Sequence, residues 1–256
     1  MSQFKPTKRF SKRVNDYVKY RPSYPTAVLH CLRDECGLTE TAVIADIGYG
    51  TGLLAQLFLD NGNPLYGVEP NANMRAAGEI YLAEYANFTS VAGTAEATTL
   101  ADNSVDFVTA GQAAHWFDGP QAKVEFNRIL RPGGVIVFVW NTREIAATPF
   151  MEAYETVVTR WQTPEDPVRS QKGGHDRAPD IILGERPQKR TFANEQVYDF
   201  ETLKGRTLSS SVTPLPGHAN YEPLLAELRQ VFDRYQMDGR VTFPYVTQLF
   251  FRRYYG

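Results

Sequence analysis

The run Asp46-Ile47-Gly48-Tyr49-Gly50-Thr51-Gly52 stands between a short apolar stretch, Ala42-Val43-Ile44-Ala45, and a helix-like Leu53-Leu54-Ala55-Gln56-Leu57-Phe58. A chain that passes from a strand through alternating glycines into a helix has few folds open to it. Glycine has no side chain and tolerates positive φ, so such a turn brings backbone close to a ligand at a helix N-terminus. The spacing then restricts the ligand. A dinucleotide fingerprint reads G-x-G-x-x-G, and counted from Gly48 its third place holds Leu53. The run reads D-x-G-x-G-x-G instead, which disfavours a dinucleotide oxidoreductase and points to another nucleoside-bearing ligand.

One strand further on, Leu65-Tyr66-Gly67-Val68 ends at Glu69, before Pro70 and a helix carrying Met74. A carboxylate about twenty residues after a glycine loop is placed to accept hydrogen bonds from ribose hydroxyls. An acid at a strand end also serves as a helix cap or a solvated charge; the preceding loop favours the ribose reading. Three later segments extend the pattern. They are Val91-Ala92-Gly93-Thr94-Ala95-Glu96, the strand Val105 to Ala110 with the following Gly111-Gln112-Ala113-Ala114-His115-Trp116-Phe117-Asp118, and Ile129-Leu130-Arg131-Pro132-Gly133-Gly134 before the apolar strand Val135 to Trp140. Upstream lies Tyr17-Val18-Lys19-Tyr20-Arg21-Pro22-Ser23-Tyr24-Pro25. Taken together, D-x-G-x-G-x-G, the glutamate after the second strand, Q-A-A-H-W-F and Y-x-x-Y-R-P-x-Y-P resemble the motifs of class I S-adenosylmethionine-dependent methyltransferases of the small-molecule type. That superfamily includes trans-aconitate and ubiquinone-biosynthesis methyltransferases.

The resemblance implies an α/β fold: a Rossmann-like, doubly wound, seven-stranded mixed sheet whose last strand is antiparallel, with a helical N-terminal prefix and an insertion after strand five. It implies one methyltransferase domain over 1–256, divided into a lid (1–40), a cofactor-binding core (41–145), a helix with a lid-like insertion (146–190) and C-terminal strands with a helix (191–256). The implied cofactor is S-adenosyl-L-methionine, held by Tyr20, Arg21, Asp46, Gly48, Gly50, Gly52, Glu69, Met74, Thr94, Ala95, Glu96 and Gln112. Thr94 stands where the family usually has aspartate, so Glu96 is expected to share its role at the adenine. His115 is the candidate catalytic base, with substrate orientation as the alternative role. Trp116 is expected at the edge of the acceptor pocket. Arg143 and Arg206, read as two arginines at loop ends, suit an anionic acceptor such as a carboxylate. The implied activity is in-line methyl transfer to a small molecule. The alternatives are a non-catalytic S-adenosylmethionine-binding protein and a methyltransferase acting on tRNA or protein.

The local signals predict a short helix from Ser11 to about Tyr20, an extended break from Arg21 to Pro25, and a helix from Thr26 to about Cys36 stopped by Gly37. Strands and helices alternate five times between Ala42 and about Thr142, the order of a parallel sheet covered on both faces. A helix follows over Pro149 to Trp161, then a proline- and glycine-rich loop from Thr163 to Arg190. The remainder reads as a strand from Phe192 to Phe200, a loop through Arg206 to the serine run, an amphipathic helix from Tyr221 to Tyr235 and a final strand from Arg240 to Phe251.

Composition bounds what the chain acts on. A net charge of -2 gives no global attraction to nucleic acid, and no N-P-P-Y-like element follows the fourth strand. The longest apolar run, Val135 to Trp140, is far below the roughly 18 residues that span a bilayer, so no membrane partner is expected. Cys31 and Cys36 do not form a disulfide framework and point to a reducing compartment, the cytoplasm. His30, His115, His175 and His218 lie far apart without ligand spacing, so no metal is predicted. The expected partner is a small-molecule substrate, and the expected state a monomer or homodimer.

Overall fold

The computed structural model describes residues 21–163, 178–184, 187–210 and 212–254. The expected helix from Ser11 to Tyr20, and Tyr20 itself, lie outside the described residues. The first described helix, α1 (Ala27–Cys36), ends at Gly37 in the left-handed region, where its N–H bonds back to Arg33 and Leu32 carbonyls. Strands and helices then alternate: β1 (Ile44–Ile47), α2 (Leu53–Asp60), β2 (Leu65–Val68), α3 (Ala72–Tyr81), β3 (Phe88–Val91), β4 (Val105–Gly111), α4 (Gly119–Ile129) and β5 (Leu130–Arg143). Beyond these come α5 (Pro149–Trp161), α6 (Ala178–Leu183), β6 (Gln188–Tyr198), α7 (Phe200–Leu208), α8 (Tyr221–Tyr235) and β7 (Val241–Arg253).

The seven strands form one sheet in the order β3-β2-β1-β4-β5-β7-β6. The pairs β1–β2, β2–β3, β1–β4 and β4–β5 are parallel, and β7 runs antiparallel to both β5 and β6. All four residues of β1 are buried, as expected for a central parallel strand covered on both faces. Alternate residues feed opposite cores. Ile44, Val137 and Val139 pack with Leu32, Leu54 and Phe58 on one face, while Ala45, Ile47 and Phe138 pack with Phe126, Ile129 and Ile182 on the other. A third cluster joins α5, α7 and α8 to the start of β7 through Tyr154, Leu203, Leu228, Phe232 and Phe243.

The order reverses beside β1, whose neighbours are β2 and β4, and the crevice at the carboxyl ends of these strands is where doubly wound folds bind ligands. Helices α5 and α7 border a cavity that adjoins this crevice. Helix α5 begins with a cap, Thr148 accepting from the Met151 N–H at 3.2 Å, with Pro149 in the first turn.

Four sequence expectations need correction. Strand β5 starts at Leu130, so Arg131-Pro132-Gly133-Gly134 belongs to the strand, at an irregular start marked by a register shift against β4. Strand β6 starts at Gln188 and ends at Tyr198, and Phe200 opens a helix. The segment through Arg206 is that helix, α7, capped by Asp199, which accepts from the Thr202 N–H at 2.8 Å. The stretch expected as loop from Thr163 to Arg190 contains α6 and the first residues of β6, while much of the rest lies outside the described residues.

Candidate active site

At the end of β1 the chain enters the glycine turn with Gly48, Gly50 and Gly52 at φ 68, 61 and 96°. Gly48 illustrates the need: besides its positive φ, a Cβ there would stand 2.8 Å from the Ala113 Cβ. The loop could not pass the exit of β4 with a side chain at that point. Its Gly50 amide faces Glu69, the residue directly after β2. Glu69 Oε2 accepts from the Gly50 N–H at 3.1 Å and Oε1 from the Asn71 N–H at 2.8 Å. Burial raises the Glu69 pKa above the usual carboxylate value, against the pull of those two amides. Arg75 donates to the Glu69 carbonyl at 2.9 Å, fixing the turn into α3.

Asp46, in β1, is fully buried. Its Oδ1 accepts from the Thr109 hydroxyl at 3.0 Å, and its Oδ2 has no hydrogen-bond partner. Burial pushes its pKa up to about 7, partly offset by the Thr109 hydrogen bond. An unpaired buried carboxylate oxygen is costly unless something comes to meet it.

These groups border a cavity of about 170 Å³ together with Tyr24, Tyr49, Thr51, Leu53, Met74, Gly111, Gln112 and Trp116. A second cavity of about 490 Å³ adjoins it and is bordered by Arg21, Tyr24, Leu53, Gln112, Asn141, Arg143, Glu155, Arg206 and Tyr245, among others. Tyr24, Leu53 and Gln112 border both, and thus form the seam between them. The Tyr24 phenol sits close on Gly111, where an added Cβ would meet its Oη at 2.7 Å. Gln112 has φ 56°, rare for a residue with a side chain, and is held there by its N–H to the Val139 carbonyl at 3.0 Å and its Nε2 to the Asn141 carbonyl at 2.9 Å. Backbone strain held at a ligand cleft is characteristic of functional positions.

Of the residues expected at the cofactor, Asp46, Gly48, Gly50, Glu69, Met74 and Gln112 come together at the first cavity. Gly52 shapes the loop and caps the start of α2. Arg21 borders the second cavity, not the first, and donates to the Ser209 carbonyl at 3.2 Å. Thr94, Ala95 and Glu96 border neither cavity, and Glu96 accepts from the Asp118 N–H at 2.8 Å. His115 also borders neither; it lies in a single 3-10 turn with its ring 4.8 Å from Trp116. Arg143 and Arg206 both border the second cavity, from a strand end and from the buried face of a helix and not from two loops.

Sequence reasoning left out Tyr24, Leu53, Asn141, Glu155 and Tyr245. Tyr24 carried a signal, being bracketed by Pro22 and Pro25 in the lead-in motif. Tyr245 carried none, because it reaches the site through strand pairing, opposite Arg143 in the β5–β7 ladder.

A reversing parallel sheet with an antiparallel β7, a glycine loop after β1 and a buried acid after β2 defines the class I methyltransferase architecture. Comparison with known proteins agrees. Residues 45–138 match the family model described as a methyltransferase domain. Among relatives, an uncharacterized methyltransferase-like protein of Schizosaccharomyces pombe is 31% identical over 60% of this chain and 59% of its own length. An uncharacterized methyltransferase of Mycobacterium tuberculosis is 36% identical over 53% of each chain. The chain thus spans between half and two thirds of the length of these relatives. A solved structure assigned to the type II methyltransferases, from Anaeromyxobacter dehalogenans, shares the fold with a TM-score of 0.66 at 20% identity, covering 91% of this chain and 98% of that one.

Proposed function

We propose that the protein transfers the methyl group of S-adenosylmethionine to a small-molecule acceptor, with a carboxylate as the accepting group. The observation that supports this most is the pair of adjoining cavities meeting at Tyr24, Leu53 and Gln112. The first has the polar equipment of the cofactor site: Glu69 for ribose hydroxyls, loop amides for close backbone approach, and the orphaned Asp46 Oδ2 for an ammonium group. When bound there, S-adenosylmethionine supplies a sulfonium methyl, which passes to the acceptor's lone pair while the S–CH₃ bonding electrons return to sulfur, leaving a neutral thioether.

The protein's part is alignment and exclusion of water. Tyr24 and Leu53 wall the seam, and Gln112 is fixed there by two hydrogen bonds to β5 carbonyls. A carboxylate nucleophile needs no proton removed at neutral pH, which accords with His115 standing away from both cavities. Trp116 borders the cofactor side.

Turnover tests the reading. Wild-type protein incubated with S-adenosylmethionine and a panel of small carboxylic acids is expected to form S-adenosylhomocysteine and a methyl ester, and Glu69→Ala to lose about tenfold or more of that rate at limiting cofactor. Wild type that binds S-adenosylhomocysteine yet methylates no member of the panel would favour the non-catalytic or macromolecular-substrate alternatives.

A further inference from the structure

The three arginines that border the second cavity, Arg21, Arg143 and Arg206, are not equivalent. Arg143 already has a counter-charge, since its Nε stands 2.8 Å from Glu155 Oε1 and its Nη2 is 3.4 Å from Oε2. Arg206 has none. It is 3 % exposed, and its one hydrogen bond among the described residues runs from Nε to the Tyr245 hydroxyl at 3.0 Å. Its Nη1 is buried without a partner, and no carboxylate stands within ion-pair distance among the described residues. The aromatic ring of Phe243, 5.7 Å from the guanidinium carbon, supplies only a weak cation–π contact.

Arginine does not lose its proton in proteins, so this is a permanent buried cation. A buried charge is retained only where a partner compensates it. The cavity it borders is polar and large enough for a small organic anion, and a guanidinium fork matches the planar geometry of a carboxylate. Arg206 also lies away from the seam: it borders the second cavity alone, whereas methyl transfer has to occur where both cavities meet.

We propose that Arg206 is the anchor for one anionic group of the acceptor, and that this group is distinct from the one that receives the methyl. The inference rests on the methyl-transfer reading and refines it: the acceptor has two ends, an anion seated on Arg206 and a nucleophile reaching Tyr24, Leu53 and Gln112. Pairing with a guanidinium draws electron density from a carboxylate, which suits an anchor better than a nucleophile. The Arg143–Glu155 pair lines the same cavity with little net charge, and Arg21 donates to the Ser209 carbonyl, which leaves Arg206 as the fully buried guanidinium there whose Nη1 meets no partner.

The test uses small probes that occupy only the anchor. Sodium acetate is titrated, at ionic strength held constant with chloride, into the full chain saturated with S-adenosylhomocysteine, following the thermal midpoint; acetamide is the neutral control. Acetate is expected to raise the midpoint saturably and acetamide not. In Arg206→Met the apparent acetate affinity should fall about 30-fold or more, the size seen when one partner of a buried charge pair is removed, while Arg206→Lys keeps part of it. Retained S-adenosylhomocysteine binding certifies that each variant is folded, because that ligand occupies the other cavity. Equal responses to acetate and acetamide, or a saturable acetate response unchanged in a folded Arg206→Met, would overturn the anchor. Absence of S-adenosylhomocysteine binding by the wild type would instead remove the methyl-transfer reading beneath it.

Discussion

Asp46 shows how much a single residue reveals about the site. It is fully buried, half-satisfied by Thr109, and its pKa is pushed up to about 7 by desolvation. A carboxyl group whose folded pKa lies above its unfolded value binds a proton more tightly when folded. Its contribution to stability is fully present below the unfolded value near 3.8 and is lost as pH rises through about 7. Cofactor binding has the opposite sign, because an ammonium group needs the ionised form. S-adenosylhomocysteine affinity is therefore expected to rise with pH between 6 and 8, by up to about tenfold per unit below the Asp46 pKa. Asp46→Asn should bind more weakly and show a flat profile. A wild-type profile as flat as that of the variant would show that Asp46 does not meet the ammonium group. The carboxylate itself was legible in the D-x-G-x-G-x-G run. Its orphaned oxygen was not, since that depends on which neighbours the fold supplies.

Among the elements, those with local punctuation were legible in the sequence. Helix α1 has its Gly37 stop, α5 has Thr148-Pro149 at its start, and α8 its amphipathic period, and each runs over the residues the sequence indicates. The misread elements lack such marks. Helix α7 carries Gly205 in its middle, a poor helix residue, and is held by burial of Leu203, Arg206 and Thr207. The first residues of β5 include a proline and two glycines that look like a turn, and β6, at the sheet edge, begins with polar residues facing solvent. Tertiary contact also fixes the strap at 21–25 over the cavities. Asn194 of β6 donates to the Ser23 carbonyl at 2.9 Å, and Asn141 of β5 donates to the same carbonyl at 3.1 Å and to that of Pro22 at 3.4 Å. The buried Thr247 hydroxyl donates to Asn141 Oδ1 at 2.6 Å, which orients the amide. Asn194 itself borders neither cavity, though its amide also donates to Asn141 Oδ1 at 3.2 Å, and its removal should loosen Tyr24 at the seam. Amide hydrogen exchange over residues 21–25 is expected to quicken about fivefold in Asn194→Ala, the effect of one hydrogen bond. Unchanged exchange would mean that the strap is held by packing alone.

On the scale of the whole molecule, the parallel half of the sheet borders the first cavity, and β5, β7, α5 and α7 supply much of the border of the second. The first half follows from motifs close together in sequence. The second is assembled from residues far apart, such as Arg143 with Tyr245 and Arg206 with the same tyrosine, which is why composition and spacing pointed to an acceptor site but did not rank its arginines. No helix among the described residues is long and apolar enough to cross a membrane. The central claim is that the β1 loop and Glu69 hold S-adenosylmethionine, and calorimetric titration with S-adenosylhomocysteine tests it directly, with NADH as the control ligand. Saturable binding of S-adenosylhomocysteine by the wild type, no binding of NADH, and loss of binding in a folded Glu69→Ala variant are the expected results. A folded wild type that ignores S-adenosylhomocysteine, or prefers NADH, would contradict the account.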